Sequence, residues 1–263
     1  MTLPRLYLWD KRTLYLGPVY RPEPGTVELC HAAATLVVAL DRPLTLKPQG
    51  GASLQCRSAL FPADTPISCD YDGGIVACCF LDVFGCDLAQ LTPLMAASHT
   101  LGIQTGFSRE DEAIQLFNQL ATADIDEAMA YDRLERLING DITSCTPHPV
   151  DPRIIQAVAL IKATVHENPS IEFLAESVGL SVPRLSQLFR QQTGVAIRRY
   201  RLWHRLYVTA LNRGLGRDLT EAAQRAGFSD SSHCTHTFKS ILGSHPAKIL
   251  GLPDTIEIII GAS

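Results

Sequence analysis

The chain has 263 residues, 46% apolar and 19% charged, a composition that excludes a disordered segment and leaves room for two separately packed cores. Its net charge of −4 hides a division: residues 1–150 carry 10 Lys and Arg against 18 Asp and Glu, whereas residues 151–263 carry 13 against 9. Phosphate attraction dominates non-specific nucleic-acid affinity, so a polyanionic partner is expected at the second half and not at the first.

Residues 1 to about 90 alternate short β-type runs (LYLWD, TLYLGPVY, TLVVALD, PLTLK, ASLQC, SALFPAD, GGIVACCFLDV) with Pro, Gly and Asp-rich turns such as DRP, KPQGG, PADTP and YDGG. Many short strands at close intervals predict a small all-β sandwich or barrel. From about Cys86 the pattern turns helical, near residues 86–100, 108–121 and 125–138. In the last stretch Met129, Leu134, Leu137 and Ile138 form an apolar stripe, which either packs in the chain's own core or serves as a dimerisation element. The Pro-rich run 139–151 reads as a linker, and Pro152 then opens a helix with Ile154, Ile155, Val158, Ile161 and Val165 on its stripe.

Downstream, one unit occurs twice. Ile171, Leu174, Ala175 and Val178 face inward on a short helix, Gly179 turns the chain, and Ser181 caps a second helix with Leu185, Leu188 and Phe189 inside. Leu219, Ala222, Ala223 and Ala226 repeat the first helix, Gly227 the turn, and Asp230 caps a helix with Cys234, Phe238 and Ile241 inside. Phe189 maps on Phe238 and Gly194 on Gly243, so Pro183, Ser186 and Gln187 correspond to Ser232, Thr235 and His236 on the outward faces. These six are the candidates for base contact. Arg184, Arg190, Arg198, Arg199 and Lys239 are the candidates for phosphate contact, with Arg205 alternatively paired to an acidic group inside the fold. A continuous helix from about Ala196 to Asn212 joins the two units and spans about 25 Å at 1.5 Å per residue. Successive major-groove faces lie roughly 34 Å apart, so one chain is expected to read both.

The segments GLSVPRLSQLFRQQTG, RRYRLWHRL and LTEAAQRAGFSDSSHCTHTFKSILGSHPAKI resemble the DNA-binding domain of the AraC/XylS transcription regulators over about residues 152–250. The resemblance implies that the second helix of each unit enters a major groove. It also implies a promoter operator in double-stranded DNA as partner, a homodimer, and room for RNA polymerase and a small-molecule effector as further partners. Two departures weaken the second unit. Cys234 and His236 stand where the family usually has Phe and Arg, and Lys248 and Ile249 replace its usual aromatic-basic pair. An imidazole lacks the bidentate fork of Arg, so base reading by the first unit is expected to dominate.

The strands around SALFPADTPISCDY resemble the small cupin-like barrel that precedes this domain in many family members. The expected architecture is therefore α+β in two domains: an N-terminal sensor or dimerisation domain (1–138, barrel about 1–90), a linker (139–151), a helical DNA-binding domain (152–250) and an apolar tail (251–263). Metal-binding cupins commonly place a histidine where this chain has Ile67, and the first half offers only His31, His99 and His148, so no metal or other cofactor is expected. Two enzymes are the alternatives: a cupin-type metalloenzyme, and a DNA-repair methyl acceptor using one of the N-terminal cysteines. The eight cysteines contain no CxxC pair, and with no leader-like segment or apolar run of about 18 residues the chain is expected to be soluble and cytoplasmic, its thiols unpaired. The tail IEIIIGAS is too apolar to stay wet and is expected to pack on another surface.

Overall fold

The computed structural model describes residues 3–19, 27–123, 125–140, 150–251 and 255–261. Nine strands open the chain: β1 (Arg5–Leu8), β2 (Thr13–Pro18), β3 (Val27–Leu29), β4 (Thr35–Ala39), β5 (Leu44–Pro48), β6 (Leu54–Cys56), β7 (Ser58–Phe61), β8 (Ile67–Asp70) and β9 (Ile75–Phe80). A short helix α1 (Asp87–Leu91) follows, then a hairpin of β10 (Met95–Ser98) and β11 (Gln104–Phe107), then helices α2 (Glu110–Ala121) and α3 (Glu127–Asn139). The helix expected over 86–100 is therefore cut short. Pro93 lacks the N–H a continuing helix needs, and the chain turns into β10, which pairs with β11 as an edge strand.

The strands form an eight-stranded sheet, ordered β10-β11-β7-β4-β9-β2-β1-β12, and a four-stranded sheet, ordered β3-β8-β5-β6. They stand as two sheets sharing one core. Period-two alternation divides the larger sheet cleanly: Leu6, Leu8, Tyr15, Val76, Cys78 and Phe80 face the smaller sheet, while Tyr7, Leu14, Leu16, Ala77 and Cys79 face α2 and α3. Arg12, buried between β1 and β2, pins α1 and α3 to this sheet through Asp87 (2.6 Å) and through Glu135.

The stripe on α3 is consumed here. Leu134 is fully buried and Leu137 and Ile138 are 1% exposed in the chain's own core, so these three side chains are not a dimer surface; Met129 alone of the four is exposed. The expected linker falls at 141–149, outside the described residues, as does His148.

Seven helices follow: α4 (Pro152–Ala163), α5 (Ile171–Ser177), α6 (Val182–Thr193), α7 (Ile197–Gly214), α8 (Leu219–Arg225), α9 (Ser231–Leu242) and α10 (Pro246–Ile249). The apolar tail then becomes β12 (Glu257–Ile260), which pairs in parallel with β1. The last strand of the chain therefore belongs to the sheet of the first domain, and the surface expected to cover the tail is the β1 edge. The second helical unit also shares a core with the β-sheets, where Ala223, Phe228, Cys234 and Phe238 join Leu6, Tyr15 and Leu29.

Candidate nucleic-acid interface

Both helical units are built by the same local rules. Ser170 Oγ accepts from Phe173 N at the start of α5, and Asp218 Oδ1 accepts from Glu221 N at the start of α8. Each first helix then ends on a glycine in left-handed backbone, Gly179 at φ +67° and Gly227 at φ +82°. The turns match bond for bond: Leu180 N donates to Ala175 O at 2.9 Å, and Phe228 N donates to Ala223 O at 3.0 Å. The extra residue of the second unit falls after this turn and before the cap. Asp230 Oδ1 accepts from His233 N at 2.7 Å, whereas Ser181 holds the cap position by its extended backbone alone. Gly194 and Gly243 close α6 and α9 in left-handed conformation.

Burial repeats with the same spacing. Leu185 and Cys234 are fully buried, as is Phe189, and Phe238 is 2% exposed. On the outer faces Pro183, Gln187, Ser232 and His236 are exposed, and Ser186 and Thr235 are half-buried. All six expected base-contact residues therefore lie on two solvent-facing stripes. Cys234 fills the inner position where the family usually has an aromatic; it does not belong to the outer face.

The cations divide into two groups. Arg184, Arg198 and Lys239 are exposed, with Arg184 Nη1 donating to Gln187 Oε1 at 3.1 Å. Arg190 and Arg199 instead meet the first domain: Arg190 Nη2 lies 3.5 Å from Asp64 Oδ2, Arg199 Nε lies 3.1 Å from Asp64 Oδ1, and Arg199 Nη2 donates to the Cys30 carbonyl. Asp64, on the β7–β8 turn, went unrecognised in the sequence because nothing local to PADTP announces a partner more than 120 residues away. Arg205 takes neither expected role. It is 7% exposed, with its guanidinium 5.8 Å from the Phe228 ring centre, a cation–π contact where an acidic partner was the alternative.

Between the domains lies an apolar cleft of about 790 Å³ including its open mouth, walled by Leu8, Tyr15 and Phe80 of the larger sheet and by Trp203, Tyr207 and Phe238 of the helical domain. The Phe80 and Trp203 rings are 4.8 Å apart across the domain boundary. His31 lines the same cleft, bonded through Nδ1 to Thr35 Oγ1 at 3.0 Å; burial, aided by the charge of Arg199, pushes its pKa down to about 3. His99 bonds Thr105 at 2.8 Å, and Ile67 is buried in the core. Among the described residues no group of three or more His, Cys, Asp or Glu gathers where it could hold a metal ion.

The thiols carry no nucleophilic signature. Burial pushes Cys56, Cys69 and Cys79 up to about 12 and Cys234 to about 11, and raises Cys78 as well, so each stays protonated near neutral pH. A methyl acceptor needs the opposite shift. Cys86 is disulfide-bonded, contrary to the expectation of unpaired thiols throughout. No described helix is long and apolar enough to cross a membrane.

Two capped helix-turn-helix units joined by one helix define a DNA-binding regulator. The Helix-turn-helix domain family matches residues 174–251. Two curated relatives are arabinose operon regulatory proteins: that of Salmonella typhimurium is 30% identical over 164 residues, 57% of this chain and 58% of its own length. That of Escherichia coli is 31% identical over 159 residues, 55% of this chain and 54% of its own. The chain thus spans little more than half the length of these relatives. Among solved structures, apo ToxT of Vibrio cholerae shares the fold with a TM-score of 0.62 at 11% identity, covering 92% of this chain and 97% of that one. ToxT with a bound unsaturated fatty acid matches with a TM-score of 0.57 at 13% identity, covering 94% and 98%. The chain belongs to the AraC/XylS family of transcription regulators, whose members bind DNA and are not enzymes.

Proposed function

We propose that the protein regulates transcription by setting α6 and α9 into successive major grooves of an operator, with Pro183, Ser186 and Gln187 reading bases from the first and Ser232, Thr235 and His236 from the second. The observation that carries this is the double repeat: buried positions match buried positions and outward positions match outward ones at a spacing of 49 residues, from Leu185 and Cys234 to Phe189 and Phe238. At 18 residues α7 is about 27 Å long, of the order of the roughly 34 Å between successive groove faces. Arg184, Arg190, Arg198, Arg199 and Lys239 supply the sequence-independent attraction. Binding to a randomised duplex library, selected and sequenced for the native protein and for Gln187→Ala, tests the assignment. Relaxed preference at one position of the first half-site supports it, and an unchanged motif with unchanged affinity removes Gln187 from the interface.

The apolar cleft is the place for a small effector, because its walls come from both domains and an occupant there touches β9 and α7 together. Oleate titrated against Trp203 emission in a Trp9→Phe background, the chain having two tryptophans, is expected to give a saturable change; a flat response to oleate and to naphthalene alike overturns this part. Assembly as a homodimer on DNA belongs to the same proposal and is tested by light scattering at micromolar concentration with DNA present. Its surface lies elsewhere than Leu134, Leu137 and Ile138.

A further inference from the structure

We propose that Asp64 stands in for a DNA phosphate: in the free protein its carboxylate holds Arg190 and Arg199, and DNA displaces it on binding. This rests on the assignment of those two arginines to the phosphate backbone. A carboxylate and a phosphate both offer paired oxygens to a guanidinium fork, so one can occupy the place of the other. Asp64 reaches across the domain boundary at the junction of α6 and α7, with one oxygen toward each arginine.

The turn that presents it is held from behind. Asp64 N donates to His31 O at 2.8 Å, and the backbone at Asp64 is left-handed, φ +61°. Ala63 sits against the same junction, since a methyl added at Gly194 would lie 3.5 Å from the Ala63 Cβ. The carboxylate is thus delivered to α6 by a fixed loop of the acidic half of the chain.

The contact is built to yield. Arg199 Nε is close to Asp64 Oδ1 yet lies off the line of its N–H, which is buried without a hydrogen bond. Arg190 is 67% exposed and needs only a rotation to reach solvent. A phosphate oxygen aligned with these N–H groups satisfies them better than Asp64 does. Cys30 and His31 are adjacent, the first bonded to Arg199 and the second lining the apolar cleft, so an occupant of the cleft lies one residue from the latch.

The test uses the full chain, with fluorescence anisotropy on an operator duplex and on a random-sequence duplex over a salt series. Asp64→Asn keeps the shape of the side chain, and Asn tolerates left-handed backbone. It is expected to tighten binding to both duplexes by about fivefold per released pair and to steepen the salt slope by about 1. The gain should shrink when Arg190→Ala is added. Asp64→Gly, which also suits the positive φ, serves as the second variant should Asp64→Asn fold poorly by thermal melt. Unchanged affinity and slope in Asp64→Asn, with Arg190→Ala still weakening binding, overturns the latch and leaves the phosphate assignment standing. Arg190→Ala and Arg199→Lys without effect in either background overturns the assignment and the latch together. Weaker binding by a well-folded Asp64→Asn also overturns it, since Asp64 would then be positioning the arginines for DNA.

Discussion

Ile259 lies opposite Tyr7 in a parallel strand pair, so the last strand of the chain completes the sheet begun by the first. Glu257 adds an ion pair to Arg5 at 2.7 Å, and α7 passes so close that a methyl on Gly214 would lie 2.8 Å from Ile258. The helical domain is therefore tied to the β-domain at its end as well as through the shared core of the second unit.

Ile256, 3% exposed just before β12, anchors this strap. Ile256→Ala is expected to lower unfolding stability by about 2–5 kcal/mol. A urea midpoint within error of the native value would show that the strap contributes nothing to the folded state.

The two turn glycines occupy equivalent positions and should respond differently to one methyl group. At Gly179 nothing lies within 4 Å of an added Cβ, so Gly179→Ala costs only left-handed strain, about 1–2 kcal/mol. At Gly227 the same methyl would lie 2.3 Å from the Val165 carbonyl oxygen, so Gly227→Ala should cost the same strain and a backbone displacement besides, in all more than about 3 kcal/mol. Chemical denaturation of both variants decides this, and equal losses would contradict the contact.

Acid should loosen the domain boundary. Burial lowers the pKa of His31 to about 3 and of His204 to about 4, from 6.5 in the unfolded chain, so the unfolded state binds more protons between those values. Their neutral forms are accommodated in full above pH 6.5, and stability is lost as the pH falls from there toward 3–4. The slope reaches about 1.4 kcal/mol per pH unit for His31. Melting temperatures from pH 7.5 to 4.5 should fall less steeply for His31→Asn than for the native chain; parallel curves would remove His31 as a contributor.

The second recognition helix should be improvable. His236 is exposed at the position matching Gln187, and His236→Arg restores a forked donor. Operator affinity is expected to rise by about tenfold, with a new preference for guanine at one position of the second half-site. An Arg variant that gains affinity equally on every sequence would mean that this position meets phosphate.

Legibility in the sequence followed the range of the interaction. The inward stripes of α5, α6, α8 and α9, the turn glycines and the Asp230 cap were all readable, because each depends on residues within a few positions of one another. The β10 strand was not: MAAS is exposed along most of its length and carries no alternation to mark it. The stripe of α3 showed that a face is buried but not by what, and the structure answers with Trp9, Leu14 and Leu16 of the same chain.

What the sequence determined by itself is the pair of recognition helices, since caps, turn glycines and 3.6-residue periodicity act locally and recur wherever the same residues recur. Only the tertiary structure decided that β12 lies on β1 and that Asp64 faces Arg190 and Arg199. Those contacts join residues more than 120 positions apart, and their geometry exists only once both domains have packed.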